Sequence, residues 1–330
     1  MRILTLVVVI AGALWGGYWY IGSTALQKAA VAAFANAREE GRVAQYSSLS
    51  VAGFPNRFDL TVNDIALGDP AEGVTWRAPF AQILSLSYTP YHVIAALPHR
   101  QVLELPGQSL TLTSQKMEGS VLFAPTPALR LKRTTFIAAQ PELVSTAGWQ
   151  VGLHQARFAA RPVAGKENSY EIGFEALDIA PDASLKAQLD PEGKLPPKAE
   201  IVHLDGDLSF TAPLDRHAGE THPRLTALTL RDSHARWGDL SLTLKGALEI
   251  GRDGLPIGRI TLSARHWQQM LDIAVALGLV KPEIAPTVRN MLTELAKGSG
   301  SPDTVELPLS FQKGWMSVGP LPLGPAPRFR

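Results

Sequence analysis

The chain has 330 residues, 45% of them apolar, with 31 Lys and Arg against 30 Asp and Glu and no cysteine. That apolar content supplies a real core and excludes global disorder, while a formal net charge of +1 leaves no electrostatic footprint for nucleic acid. Without thiols there are no disulfides, thiolate metal sites or cysteine nucleophiles.

From Ile3 to Ile21 the stretch ILTLVVVIAGALWGGYWYI carries no charge; as helix at roughly 1.5 Å per residue it covers about 28 Å, the thickness of a bilayer core. Trp15, Tyr18, Trp19 and Tyr20 crowd its C-terminal end, where amphipathic rings favour the interface, and Arg2 sits at the other end. The pattern predicts a single-pass transmembrane anchor over 1–22 in the inner (cytoplasmic) membrane, with the bulk of the chain periplasmic. A cleaved signal peptide is the competing reading, but its apolar region runs only about 7 to 15 residues, and Ser23-Thr24-Ala25 is a poor cleavage site. An Ala-rich juxtamembrane helix is expected over 23–41, with Leu26, Ala30, Ala33, Phe34 and Ala37 on one stripe and Gly41 at its C-terminal cap.

Beyond Gly41 the hydrophobic period changes to two, the signature of half-buried strands. Strands are predicted over 58–67, 82–88, 109–114, 128–139, 151–160, 170–180, 200–210, 225–237 and 240–250, with 256–264 closing a hairpin across the turn Gly251 to Gly254. The basic run Arg130 to Arg133 falls in one of these and reads as a strand's wet face. In GDLSLTLKGALEI, Leu240, Leu242, Leu244, Leu248 and Ile250 share one parity while Asp239, Ser241, Thr243, Lys245 and Glu249 share the other. Such alternation belongs to antiparallel meanders rather than to parallel strands covered on both faces. The polar, four-proline stretch over 181–199 is a candidate lobe boundary, or a long loop with a helical turn.

Helical period returns over 266–280, with Trp267, Met270, Leu271, Ala274 and Leu277 on one stripe. It returns again from Pro282, placed in the first turn of a second helix carrying Ile284, Val288, Met291, Leu292 and Leu295. The short link at Lys281-Pro282 predicts a helical hairpin over 265–297. Strands are expected again over 305–311 and 315–318, and the Pro-rich tail is expected to lie extended on the surface. The fold class is therefore mainly β: an N-terminal transmembrane helix, a large antiparallel β-sheet built as a sandwich, barrel-like form or groove, and one C-terminal helical hairpin. The extracytoplasmic β-rich part covers 42–330. Two helical pieces cannot cover so many half-greasy strands, so the sheet must cover itself or curl into an apolar trough filled by side chains or by a lipid-like guest.

The phrases GFPNRFDL (53–60), WRAP (76–79), YTPYHVIAALP (88–98), WGDLSLTLKGALEI (237–250), HWQQMLDIAVALGLV (266–280) and GPLPLGPAP (319–327) resemble, in this order, an uncharacterised and mostly alphaproteobacterial family known as domain of unknown function 2125. The resemblance implies a membrane-anchored envelope protein and carries no activity with it. At longer range its hairpin style is similar to large envelope proteins that form β-grooves for lipid transfer, an analogy of fold alone.

Motifs for serine hydrolases, zinc proteases, dinucleotide folds and P-loops are missing from the sequence. Ser310 to Lys313 spells SxxK, but at the end of a predicted strand and without partner motifs. His203, Asp205 and Asp207 share one strand face and could offer mixed ligands to a divalent metal, yet no further ligand presents itself, and a solvent face is expected. His217 and His222 read as solvated loop residues, and Trp76, Trp149, Trp237, Trp267 and Trp315 as core and turn anchors. Arg57, beside Phe58 after a Gly-Phe-Pro turn, could grip a lipid phosphate bidentately. Leu242 and Leu244 are candidates for an apolar lining. The sequence thus points to a non-catalytic protein without metal or cofactor that binds or shields a lipid-like envelope component. The alternative is a structural or scaffolding protein of the envelope acting through protein contacts. The bilayer is the expected partner of the N-terminal helix, and lipid or envelope proteins are candidates for the rest.

Overall fold

The structure, a computed structural model, describes residues 1–298, 301–319 and 321–329. About 50% of the chain is strand, in a large antiparallel sheet. The expected anchor and juxtamembrane segments form one continuous helix, α1 (Arg2–Glu39), the single helix among the described residues that is long and apolar enough to cross a membrane. It stops where predicted. Gly41 takes φ +79°, its N–H bonds to Arg38 O (3.0 Å), and Arg42 N–H reaches Ala37 O (2.9 Å), which together satisfy the last carbonyls of the helix.

The chain divides into two compact units, residues 1–125 with 134–148, and 126–133 with 149–330. The candidate boundary at 181–199 instead lies wholly inside the second unit.

The first unit holds α1 and the strands β1 (Val43–Gln45), β2 (Ser48–Ala52), β3 (Arg57–Asp69), β4 (Val74–Leu86), β5 (Thr89–Ala96), β6 (Arg100–Leu105), β7 (Gln108–Thr113), β8 (Lys116–Phe123), most of β9 (Leu131–Ala139) and β10 (Glu142–Ser145). The long hairpin β3–β4 is its spine, and each member changes partner along its length. β3 pairs with β2 over 59–63 and with β1 over 66–68, while β4 pairs with β6 over 75–77 and with β5 over 82–86. Strict alternation over 58–67 breaks at Asp64, which takes φ +49°, so Leu60, Val62 and Ile65 end in one buried cluster. Leu26, Ala30 and Phe34 of α1 pack onto this cluster, as their stripe predicts.

The second unit is a continuous antiparallel meander. It runs through β11 (Gln150–Gly152), β12 (Gln155–Pro162), β13 (Ser169–Pro181), α2 (Ala183–Leu189), β14 (Ala199–Phe210), α3 (Ala218–Thr221), β15 (Leu225–Trp237), β16 (Leu240–Ile250), β17 (Pro256–Arg265), α4 (Trp267–Ala276), α5 (Ala285–Gly298), β18 (Thr304–Gln312), β19 (Trp315–Val318) and β20 (Leu321–Pro325). The stretch 181–199 is a loop around α2, capped by Asp182, whose carboxylate accepts from Leu185 N–H (2.7 Å). It is ordered by Asp190, which accepts from the backbone N–H groups of Lys194 and Leu195.

Two expectations for the C-terminal part change. The helices are shorter than predicted, because Gly278 (φ +71°) and the bonds from Gly278 N–H to Val275 O and Leu279 N–H to Ala274 O end α4 there. Pro282 then lies in the connecting segment 277–284 instead of in a first helical turn, so the two-residue link of a tight helical hairpin is not formed. The tail, expected to lie extended on the surface, is extended but partly built in: it forms β20, which pairs with β19, Ala326 is buried and Phe329 N–H bonds to Gly254 O. Among the tryptophans, Trp76, Trp237 and Trp267 donate to Gln101, Pro196 O and Pro302 O, but Trp315 is exposed rather than a core residue.

Candidate functional site

The register of the second unit puts every second residue of β12–β18 on one apolar face. One row crosses the strands as Phe158, Phe174, Leu204, Leu244, Leu262 and Leu307, with Ser233 opposite Leu244. A parallel row holds Ala156, Ala176, Val202, Ala235, Leu242, Ala264 and Val305. Cover is uneven. At the β16–β18 side, Ala264, Trp267, Leu271, Leu292, Ala296 and Val305 form a buried cluster under α4 and α5, with Leu242, Leu262 and Leu307 packed against it. Toward the other end of the strands, Leu248, Ile250, Phe311 and Ala326 form a second cluster, with Phe329 of the tail against it. Between and beside these, Phe174 and Val202 each keep 37% of their surface exposed, and Phe158, Leu204 and Leu244 are half-buried.

The opposite face of the same strands is ionic. Arg157 pairs with Glu175, Arg161 with Glu171, and His203 stacks on His234 with ring centroids 5.0 Å apart. A β-bulge between Leu230 and Ser233 turns Arg231 onto this face, where its guanidinium bonds to Asp205, Asp207 and Glu171. The hydrogen bonds from Arg231 hold the Asp205 carboxyl below the usual carboxylate range, those from Arg161 do the same for Glu171, and the Arg231 pKa is raised. Asp205 and Asp207, weighed above as metal ligands with His203, are therefore committed to an arginine. Among the described residues no cluster of three or more His, Asp or Glu is placed to hold a metal.

The four candidate binding residues fall in two places. Leu242 and Leu244 lie on the apolar face of the second unit, Leu242 against the helical cluster and Leu244 at the edge of the open band. Arg57 and Phe58 lie in the first unit, where the middle of α1 meets the turn before β3. Phe58 is 6% exposed, wedged between Tyr18, Trp19 and Gly22. Its ring lies 6.3 Å from each aromatic, and a Cβ on Gly22 would sit 2.6 Å from its tip. It is a packing residue closed to ligands, because its parity with Leu60 and Val62 points it inward. Arg57 points the other way, half-exposed, with Nε donating to Asp59 Oδ1 at 3.0 Å.

Phe158, Phe174, Val202 and Leu204 are the lining residues that sequence reasoning did not single out. Their alternation within 151–160, 170–180 and 200–210 was readable, but alternation marks a face and does not tell which part of it the helices leave open. Ser310, Phe311 and Gln312 of the SxxK string lie in β18 and Lys313 in the following turn, without the helix that chemistry needs.

The family described as "Uncharacterized protein conserved in bacteria (DUF2125)" matches residues 19–327. No curated protein and no solved structure matches the chain. The chain belongs to this family.

Proposed function

We propose that this member of the family is a non-catalytic protein anchored in the inner membrane, with its β units on the periplasmic side, that holds a lipid-like apolar molecule against the open band of the meander. The observation that carries the reading is the exposure of Phe174 and Val202 on a face whose neighbouring stretches are sealed by α4, α5 and the tail. From β12 to β16 the band crosses four inter-strand spacings, about 19 Å at roughly 4.8 Å each. One leaflet's acyl chain, about half of a 30 Å bilayer core, fits along it. Eight methylenes removed from water contribute about 6 kcal/mol before the cost of ordering the chain. The pairing of Arg157, Arg161 and Arg231 with carboxylates on the far face supports binding over acid–base chemistry, since these groups are occupied with each other.

Native mass spectrometry of the full chain, extracted gently from membranes, tests this. The expected spectrum carries additional mass in the lipid range, reduced several-fold in Val202→Asp, whose carboxylate would lie in the band while the half-open position lets the protein fold. A wild-type chain that carries no lipid mass sinks the lipid-binding role, and other envelope proteins attached to it would support the scaffolding one.

A further inference from the structure

We propose that the turn Gly53–Arg57, together with the neighbouring residues Leu86–Tyr88, is inserted into the outer leaflet of the bilayer that α1 crosses, so that the first unit is wedged into the membrane surface rather than held off it by a free tether. The inference rests on the reading of α1 as a membrane span and is independent of what the second unit binds.

Three side chains of the kind that normally offer polar tips to lipid headgroups spend them on the protein's own backbone. Trp15 Nε1 donates to Pro55 O (3.0 Å), Trp19 Nε1 to Arg57 O (2.7 Å), and Tyr18 Oη to Ser87 O (2.6 Å). Ser87 is fully buried, its N–H bonded to Asn56 O (2.8 Å), and it locks the two turns together. The ring of Trp19 meets Phe54 edge-on at 5.4 Å, and a Cβ on Gly16 would touch Phe54 at 3.8 Å.

The turn is thereby fixed beside Trp15 and Gly16. Trp15 lies six residues N-terminal to Ile21, about 9 Å along the helix toward the bilayer centre, which matches the depth of roughly 5–10 Å at which interfacial segments bury their apolar faces. What the turns show at that depth is greasy: Phe54 is 62% exposed and Tyr88 60%, with Leu86 also exposed. In water these would be a costly patch; in the leaflet they are solvated by acyl chains. Arg57, cross-strand from Leu86, stands at the rim with half its surface open, where a guanidinium reaches phosphate while its stem stays among lipid.

The cysteine-free chain allows a direct test. Single variants Phe54→Cys, Tyr88→Cys, Val9→Cys and Glu72→Cys of the full chain carry an environment-sensitive fluorophore in phosphatidylethanolamine–phosphatidylglycerol vesicles doped with lipids spin-labelled on the acyl chain. Position 9 reports the span and position 72, in the turn between β3 and β4, the far end of that hairpin. The labels at 9, 54 and 88 are expected to be quenched at least about threefold more than the one at 72, as burial at the acyl boundary requires. Strong quenching at 9 with 54 and 88 no more quenched than 72 overturns the insertion and leaves the anchor intact. No quenching at 9 removes the membrane span and the insertion with it. Because 54 and 88 are exposed on separate turns, a folding defect in one variant leaves the other to decide.

Discussion

Arg231 shows how one side chain organises a strand face. Its guanidinium bonds to Asp205, Asp207 and Glu171, and the carboxyl groups of Asp205 and Glu171 are held below their usual range. A carboxylate with a depressed folded pKa contributes stability above its unfolded value, near 4, and loses it as pH falls through the folded value. Arg231→Met is expected to lower stability at pH 7 by about 1 kcal/mol, discounted because a third of the side chain meets solvent. The gap to wild type should close below about pH 4, which urea midpoints across pH 3 to 8 would read; a constant gap would contradict it. The sequence displayed His203, Asp205 and Asp207 at spacing two, but not their partner. Arg231 lies on the next strand, at a bulge, and bulges leave no mark on a one-in-two pattern.

The docking of α1 depends on shape complementarity between a small residue and a ring. Gly22 makes room for Phe58, and Phe58 fills the space under Tyr18 and Trp19. Phe58→Ala leaves a cavity and is expected to cost about 3–5 kcal/mol, seen in detergent micelles as a lower unfolding midpoint for the first unit and faster hydrogen exchange at Arg57 and Ser87. Phe58→Leu should recover part of the loss. Unchanged exchange in the alanine variant would mean that the helix is not held there. The helix was readable in advance because composition, interfacial aromatics, stripe and C-terminal glycine all agree. The parity of Phe58 with Leu60 and Val62 marks the face it lies on, but its burial depends on Tyr18, Trp19 and Gly22 of a helix distant in sequence. For α4, the apolar residues after Gly278 continue the helical period, while the backbone at Gly278 takes φ +71° and ends the helix.

Across the chain, alternation found the long strands from β13 to β18, where one face is consistently apolar and every boundary falls within one residue. It missed β1, β2, β5, β6, β8, β10 and β20. Most of these are short, and such strands take their structure from pairing with longer neighbours rather than from their own pattern. The apolar face was thus predictable, while its open part depends on where α4, α5 and the tail come to rest. Photo-cross-linking in the native membrane tests the proposed role of that face. A benzoylphenylalanine at position 174 or 244, on the apolar face, is predicted to capture lipid, and one at position 243, on the ionic face beside it, is predicted not to. Equal lipid labelling at 243 and 244, or capture of protein alone at 174 and 244, would contradict the account.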